Sequence, residues 1–188
     1  MSASLVGSEM CIRDRFVKKQ NKGLTAMQKL FLQFALTAAY IISFYAGRKA
    51  DTSLSLPFTD FRIELGMFYY LFLIVGIVFT VNSVNLTDGI DGLASSVTAV
   101  AAIFLCAVCY RVENNLAMVL SAAVTGGCFG FLVYNFYPAK VFMGDTGSLF
   151  LGGAVSSLAL WLNMPLILVF VGIVYYICLL YTSPSPRD

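Results

Sequence analysis

Long apolar runs, broken by short polar stretches, set the pattern of this chain. Six runs stand out, at about 26–45, 67–84, 93–110, 116–135, 148–162 and 165–181. A helix that crosses the hydrocarbon core of a bilayer needs roughly 20 mostly apolar residues. The pattern therefore predicts an all-α, polytopic integral membrane helix bundle. The last two runs are short and are divided at Leu162-Asn163-Met164-Pro165, where Asn and Pro suit a turn. They read either as a bent helix pair or as a re-entrant feature. Between the first two runs, apolar and polar residues alternate around Leu54 to Ile63, which predicts a short hairpin outside the bilayer. Neither an internal repeat nor a soluble domain boundary is evident.

Counting spans fixes which polar segments share a side. Two runs separate the lysine-rich segment near 18–29 from the loop at 82–92, and two more separate that loop from the one at 136–147. All three then face one side, with Lys18, Lys19, Lys22, Lys29 and Lys140. Arg48, Lys49, Arg62 and Arg111 fall on the other. The excess of positive charge favours the first side as cytoplasmic.

Composition agrees with the membrane class. Of 188 residues, 59% are hydrophobic and 12% charged, against about a quarter charged in a soluble domain. The net charge of +2 is too small to imply a nucleic-acid partner. The chain has no histidine, which excludes histidine acid–base chemistry and histidine metal ligands within it. Cys106 and Cys109 form a C-x-x-C inside an apolar run, where they read as small packing residues.

Chemistry concentrates in two polar loops. In Asn82 to Gly92, two carboxylates, amides and glycines gather at a membrane boundary, where a carboxylate is costly and marks a functional site by default. Asp88 and Asp91 are three apart and would share a face on a helical turn. The alternative is a solvated loop whose aspartates cap helices. In Asn135 to Ser148, Asp145 lies between glycines. It suits an N-cap for a helix beginning near Ser148, or a hard oxygen ligand for Mg²⁺. Phe142 suits stacking on a nucleobase or a place in the interfacial belt. Lysines at 18–29 suit phosphates or an ordinary basic flank.

These residues resemble a known family. The run Asn85-Leu-Thr-Asp-Gly-Ile-Asp-Gly-Leu-Ala94 resembles a signature of the phospho-N-acetylmuramoyl-pentapeptide transferases. So do Tyr137-Pro-Ala-Lys-Val-Phe-Met-Gly-Asp-Thr-Gly-Ser148 with Leu151-Gly-Gly153, and the basic segment Val17 to Ala26. The resemblance runs from about Val17 to Tyr175. It implies about six transmembrane segments of a ten-helix parent in the bacterial cytoplasmic membrane, with the active site facing the cytoplasm. The implied reaction is transfer of phospho-MurNAc-pentapeptide from UDP-MurNAc-pentapeptide to undecaprenyl phosphate, giving lipid I and UMP, with Mg²⁺ as cofactor. It further implies Asp145 as the metal-binding aspartate with Asn85 beside it, and Asp88 and Asp91 as the catalytic pair. Asn135, Phe142 and Lys29 are the implied substrate contacts. Direct attack by the carrier and a covalent enzyme intermediate both stay open, as does a homodimer.

Departures from the family pattern matter too. The family's Asp-Asp pair before the basic segment is replaced here by Arg13-Asp14-Arg15-Phe16, and its later histidine motif has no counterpart. Residues 1–15 and 181–188 read as non-native ends, leaving 16–180 as a partial membrane transferase domain. The polypeptide alone is accordingly expected to be inactive. The competing readings are a hexosamine-1-phosphate transferase for another envelope polymer, a small transporter with Asp88, Asp91 and Asp145 along an ion path, and a non-catalytic membrane fragment.

Overall fold

Six helices and one small hairpin make up the computed structural model, which describes residues 26–46, 52–55 and 62–182. The helices are α1 (Ala26–Tyr45), α2 (Phe68–Thr87), α3 (Leu93–Arg111), α4 (Asn115–Asn135), α5 (Gly144–Trp161) and α6 (Leu166–Thr182). Strands β1 (Ser53–Ser55) and β2 (Arg62–Glu64) pair antiparallel, with Leu54 opposite Ile63. The bundle is the all-α membrane architecture the apolar runs predict. Among the described residues, four helices are long and apolar enough to cross a membrane: Met27–Tyr45, Phe68–Thr87, Leu93–Arg111 and Asn115–Asn135. Outward-facing side chains such as Phe31, Leu36, Ile42, Val100, Val119 and Phe150 are exposed and apolar, as a lipid-facing surface requires.

The core forms around α2. Tyr69, Leu73 and Val84 of that helix are fully buried, together with Val155 of α5 and Ile167, Leu168 and Tyr175 of α6. Between helices in lipid, close approach and hydroxyl bonds replace the hydrophobic drive available in water. Both devices appear here. A Cβ at Gly152 of α5 would fall 2.7 Å from the Cα of Val81, so only glycine allows the two backbones this near. Thr80 Oγ1 donates to the Leu168 carbonyl at 3.1 Å, and the hydroxyls of Thr98 and Tyr175 meet at 2.6 Å, tying α2 and α3 to α6. Against α4, Cys109 Sγ lies 3.7 Å from Ser121 Oγ and Cys106 Sγ lies 3.9 Å from the Met118 carbonyl. The C-x-x-C is thus a packing feature of the α3–α4 pair.

The helix ends explain the turns. At the end of α3, Glu113 takes φ 56° while Asn114 N donates to Cys109 O and Glu113 N to Tyr110 O. At the end of α5, Asn163 does the same, with Met164 N bonded to Ala159 O and Asn163 N to Leu160 O. Both are left-handed C-terminal caps that satisfy carbonyls the helix leaves open. Asn114 then caps α4 by accepting from Ala117 N at 3.1 Å, and Pro165 leads into α6. Residues 148–162 and 165–181 are therefore two helices joined by a tight turn. The turns after α3 and α5 lie at the hairpin end, where Tyr45 and Tyr69 hydroxyls meet at 3.1 Å. The loops at 88–92 and 136–143 lie at the opposite end. Lys18, Lys19, Lys22, Arg48, Lys49 and residues 1–15 and 183–188 fall outside the described residues, while Tyr181 and Thr182 of the expected tail continue α6.

Candidate active site

Three helix ends deliver the polar groups. Lys29 and Gln33, four apart on α1, share one face of that helix, and Asn82 and Asn85, three apart on α2, share another. From α5 comes Asp145, in the first turn and ahead of the apolar stretch. Lys29 Nζ forms an ion pair with Asp145 Oδ2. Asn85 Nδ2 donates to Asp145 Oδ1 at 3.2 Å and to Ser148 Oγ at 2.9 Å. Asn82 Nδ2 donates to Gln33 Oε1 at 2.6 Å. Lys29, Gln33, Asn82, Asn85 and Asp145 line a polar cavity of about 250 Å³. A mostly apolar groove of about 420 Å³ adjoins it between α1, α2 and α5, and Lys29 and Asp145 line both.

Asp88 closes α2 as its C-terminal capping residue and lies beside the start of α5. Burial pushes its carboxyl above the ordinary value; the Gly144 amide pulls it back, and the negative charge of Asp145 adds to the rise. Asp145 moves the other way. Hydrogen bonds from Lys29 and then Asn85 hold it low, against some desolvation. The two carboxyls are thus shifted in opposite directions by their surroundings.

Two expectations change. Asp145 does not cap a helix beginning near Ser148. The helix begins at Gly144 after Met143, which makes no side-chain capping bond, and Asp145 turns to Lys29 and Asn85 instead. Nor do Asp88 and Asp91 share a helical face, because α2 ends at Thr87 and the chain turns before α3. Asp91 Oδ2 accepts from Ala139 N at 3.0 Å, which ties the first loop to the second. The aspartates do not cap α3 either; Gly92 takes that place at φ 72°, a left-handed conformation that suits glycine.

Asn135 joins the two loops. It is 4% exposed. Its Oδ1 accepts from Gly92 N at 3.0 Å and Ser95 Oγ at 3.4 Å, and its Nδ2 donates to the Val141 carbonyl at 2.9 Å. Phe142 stands at the rim, 66% exposed. Of the residues singled out from the sequence, Asn85, Asp88, Asp145 and Lys29 converge. Asp91 and Asn135 hold the second loop against the first. Gln33, Asn82 and Ser148 were missed as site residues. The 29/33 and 82/85 spacings place each pair on one helix face, and that signal was available.

The geometry defines a class: a membrane bundle whose polar site sits at the end of its helices and opens to an apolar groove. Residues 11–163 match the model of glycosyl transferase family 4, and the chain belongs to that family. The matched stretch begins inside residues 1–15. Three curated relatives carry the name phospho-N-acetylmuramoyl-pentapeptide-transferase. That of Clostridium perfringens (strain 13 / Type A) is 44% identical over 163 residues, covering 87% of this chain and 51% of the relative. That of Thermoanaerobacter sp. (strain X514) is 47% identical over 165 residues, covering 86% and 52%. That of Clostridioides difficile (strain 630) is 44% identical over 167 residues, covering 87% and 52%. The chain spans about half the length of the curated relatives it matches. With its apolar helices, this likeness makes it a multi-pass membrane protein.

Proposed function

We propose that this chain carries part of the active site of a phospho-N-acetylmuramoyl-pentapeptide transferase in the bacterial cytoplasmic membrane, with the 88–92 and 136–143 loops facing the cytoplasm. The reaction passes phospho-MurNAc-pentapeptide from UDP-MurNAc-pentapeptide to undecaprenyl phosphate, forming lipid I and UMP. One observation carries this reading: Asp145, Asn85 and Lys29 gather where a polar cavity meets an apolar groove, with Asp88 close enough to feel the charge of Asp145. A water-soluble nucleotide sugar and a lipid phosphate must meet at such a junction.

The donor set fits Mg²⁺. Asp145 offers hard carboxylate oxygens with the Asn85 amide alongside, and Mg²⁺ takes one or two carboxylates together with substrate phosphates and water. When bound, it neutralises charge on the diphosphate as UMP leaves. Asp145, whose carboxyl is held low by Lys29 and Asn85, would hold the metal. Asp88, whose carboxyl is raised, takes the proton from an oxygen of the acceptor phosphate. Lys29 binds a phosphate oxygen. Phe142 stacks on the base, while Asp91 and Asn135 support the loop beneath it.

A chimera tests this. Residues 17–175 of this chain replace the matching stretch of the Clostridium perfringens relative, and product is measured with UDP-MurNAc-pentapeptide or UDP-GlcNAc. Lipid I formed with Mg²⁺ from the first substrate alone is the expected result. A membrane-inserted chimera that makes no product, or that prefers UDP-GlcNAc, sinks the proposal; the second outcome favours the hexosamine-1-phosphate branch.

A further inference from the structure

The ion pair at the centre of the site poses a physical problem. Lys29 already neutralises the carboxylate that the metal reading assigns to Mg²⁺. Asp145 has its second oxygen engaged by Asn85 at 3.2 Å, so a cation arriving at this carboxylate must compete with the ammonium. Neither partner is locked in place, because the two side chains are 43% and 59% exposed. Both also line the cavity and the groove, so a displaced Lys29 stays beside the site. There its charge opposes a bare divalent cation and favours one that brings an anion.

We propose that Lys29 is an internal counter-ion that occupies Asp145 until a divalent cation arrives with its phosphate, so that metal and diphosphate load together. The proposal rests on the metal reading above and adds an order to it. Without anion, the ammonium resists loading twice, first by holding the carboxylate and then by repelling the cation. With a diphosphate present, the released ammonium takes a phosphate oxygen, in a charge-assisted bond of the stronger kind. By linkage, each ligand then raises the affinity of the other by the same factor. A neutral residue at position 29 removes the resistance and the coupling together.

The test uses the chimera described above, purified in detergent, with Mn²⁺ binding read by electron paramagnetic resonance. Lys29→Met should bind Mn²⁺ roughly tenfold tighter than wild type, the size expected for a unit charge a few ångströms from a divalent ion in a watery dielectric. Added UDP should raise Mn²⁺ affinity in wild type and in Lys29→Arg, and much less in Lys29→Met. Limited amine acetylation, read by mass spectrometry, supplies a measurement on the unaltered chimera. Saturating Mg²⁺ should raise Lys29 labelling in wild type and leave it unchanged in Asp145→Asn. If Mn²⁺ binds but Lys29→Met matches wild type and Mg²⁺ leaves labelling unaltered, the counter-ion proposal is overturned while the metal reading stands. If Lys29→Arg behaves as Lys29→Met does, charge is not the cause and the proposal also fails. If neither wild type nor Lys29→Met binds Mn²⁺, both readings fall.

Discussion

Asp88 and Asp145 are both aspartates at one end of the same bundle, yet their surroundings divide them. Asp88 is raised chiefly by burial; Asp145 is lowered chiefly by the Lys29 hydrogen bond. Their replacements should therefore differ. In the chimera, Asp88→Asn should cut turnover by about 10²–10⁴, the usual worth of a positioned base, with the KM for the nucleotide sugar little changed. Asp145→Asn should lower turnover and abolish the response to Mg²⁺ titration. Equal effects of both on metal response would remove the division of roles. Asn135→Ala is a different case. It leaves the Gly92 amide and the Val141 carbonyl without their partner, which costs about 1–3 kcal/mol per stranded buried group. Thermal unfolding in detergent should show that loss even with no substrate present.

At the scale of elements, glycine placement gives the sharpest prediction. Gly152 and Gly153 are neighbours on α5, but a Cβ at Gly152 meets the α2 backbone, whereas one at Gly153 meets nothing within 4 Å. Gly152→Ala should destabilise the bundle by about 1–3 kcal/mol, as overpacking does, and Gly153→Ala should be near neutral. Equal melting temperatures for the two variants would contradict the packing of α2 on α5. Helices were the most legible elements because lipid demands unbroken apolar runs that satisfy their own backbone. The runs at 26–45 and 93–110 match α1 and α3 to within a residue. Ends were less legible where a helix continues past its apolar stretch. Gly144 to Gly147 are polar or small, so α5 was read as starting near Ser148. Likewise Asn85 to Thr87, read as loop, form the last turn of α2. The members of the site were visible as polar residues in apolar surroundings. Their partners were not: Lys29 and Asp145 are 116 residues apart, and only the packing of α1 and α5 around α2 brings them together.

For the whole molecule, the placement of charge separates a transferase from a conduit. An ion path needs ionisable groups near the middle of the membrane. Here Asp88, Asp91 and Asp145 all lie at helix ends, and the buried polar groups between helices are hydroxyls committed to helix contacts, as Thr80 and Thr98 are. The same alternation of helices fixes which loops share a side. Tyr137 belongs to the loop joined to Asp91 through the neighbouring Ala139, and Glu113 belongs to the opposite turn after α3. In a version of the chain with its five cysteines replaced, Tyr137→Cys and Glu113→Cys should react with a membrane-impermeant thiol reagent from opposite faces of intact cells or inverted vesicles. Both positions are exposed, so reactivity reports the side and not burial. The orientation in the proposed function adds the direction. Tyr137→Cys should label only in inverted vesicles, where a cytoplasmic site faces the reagent. Labelling of both residues from one face would break the helix count itself. Labelling from opposite faces in the reverse sense would keep the fold and move the site out of reach of a cytoplasmic nucleotide sugar.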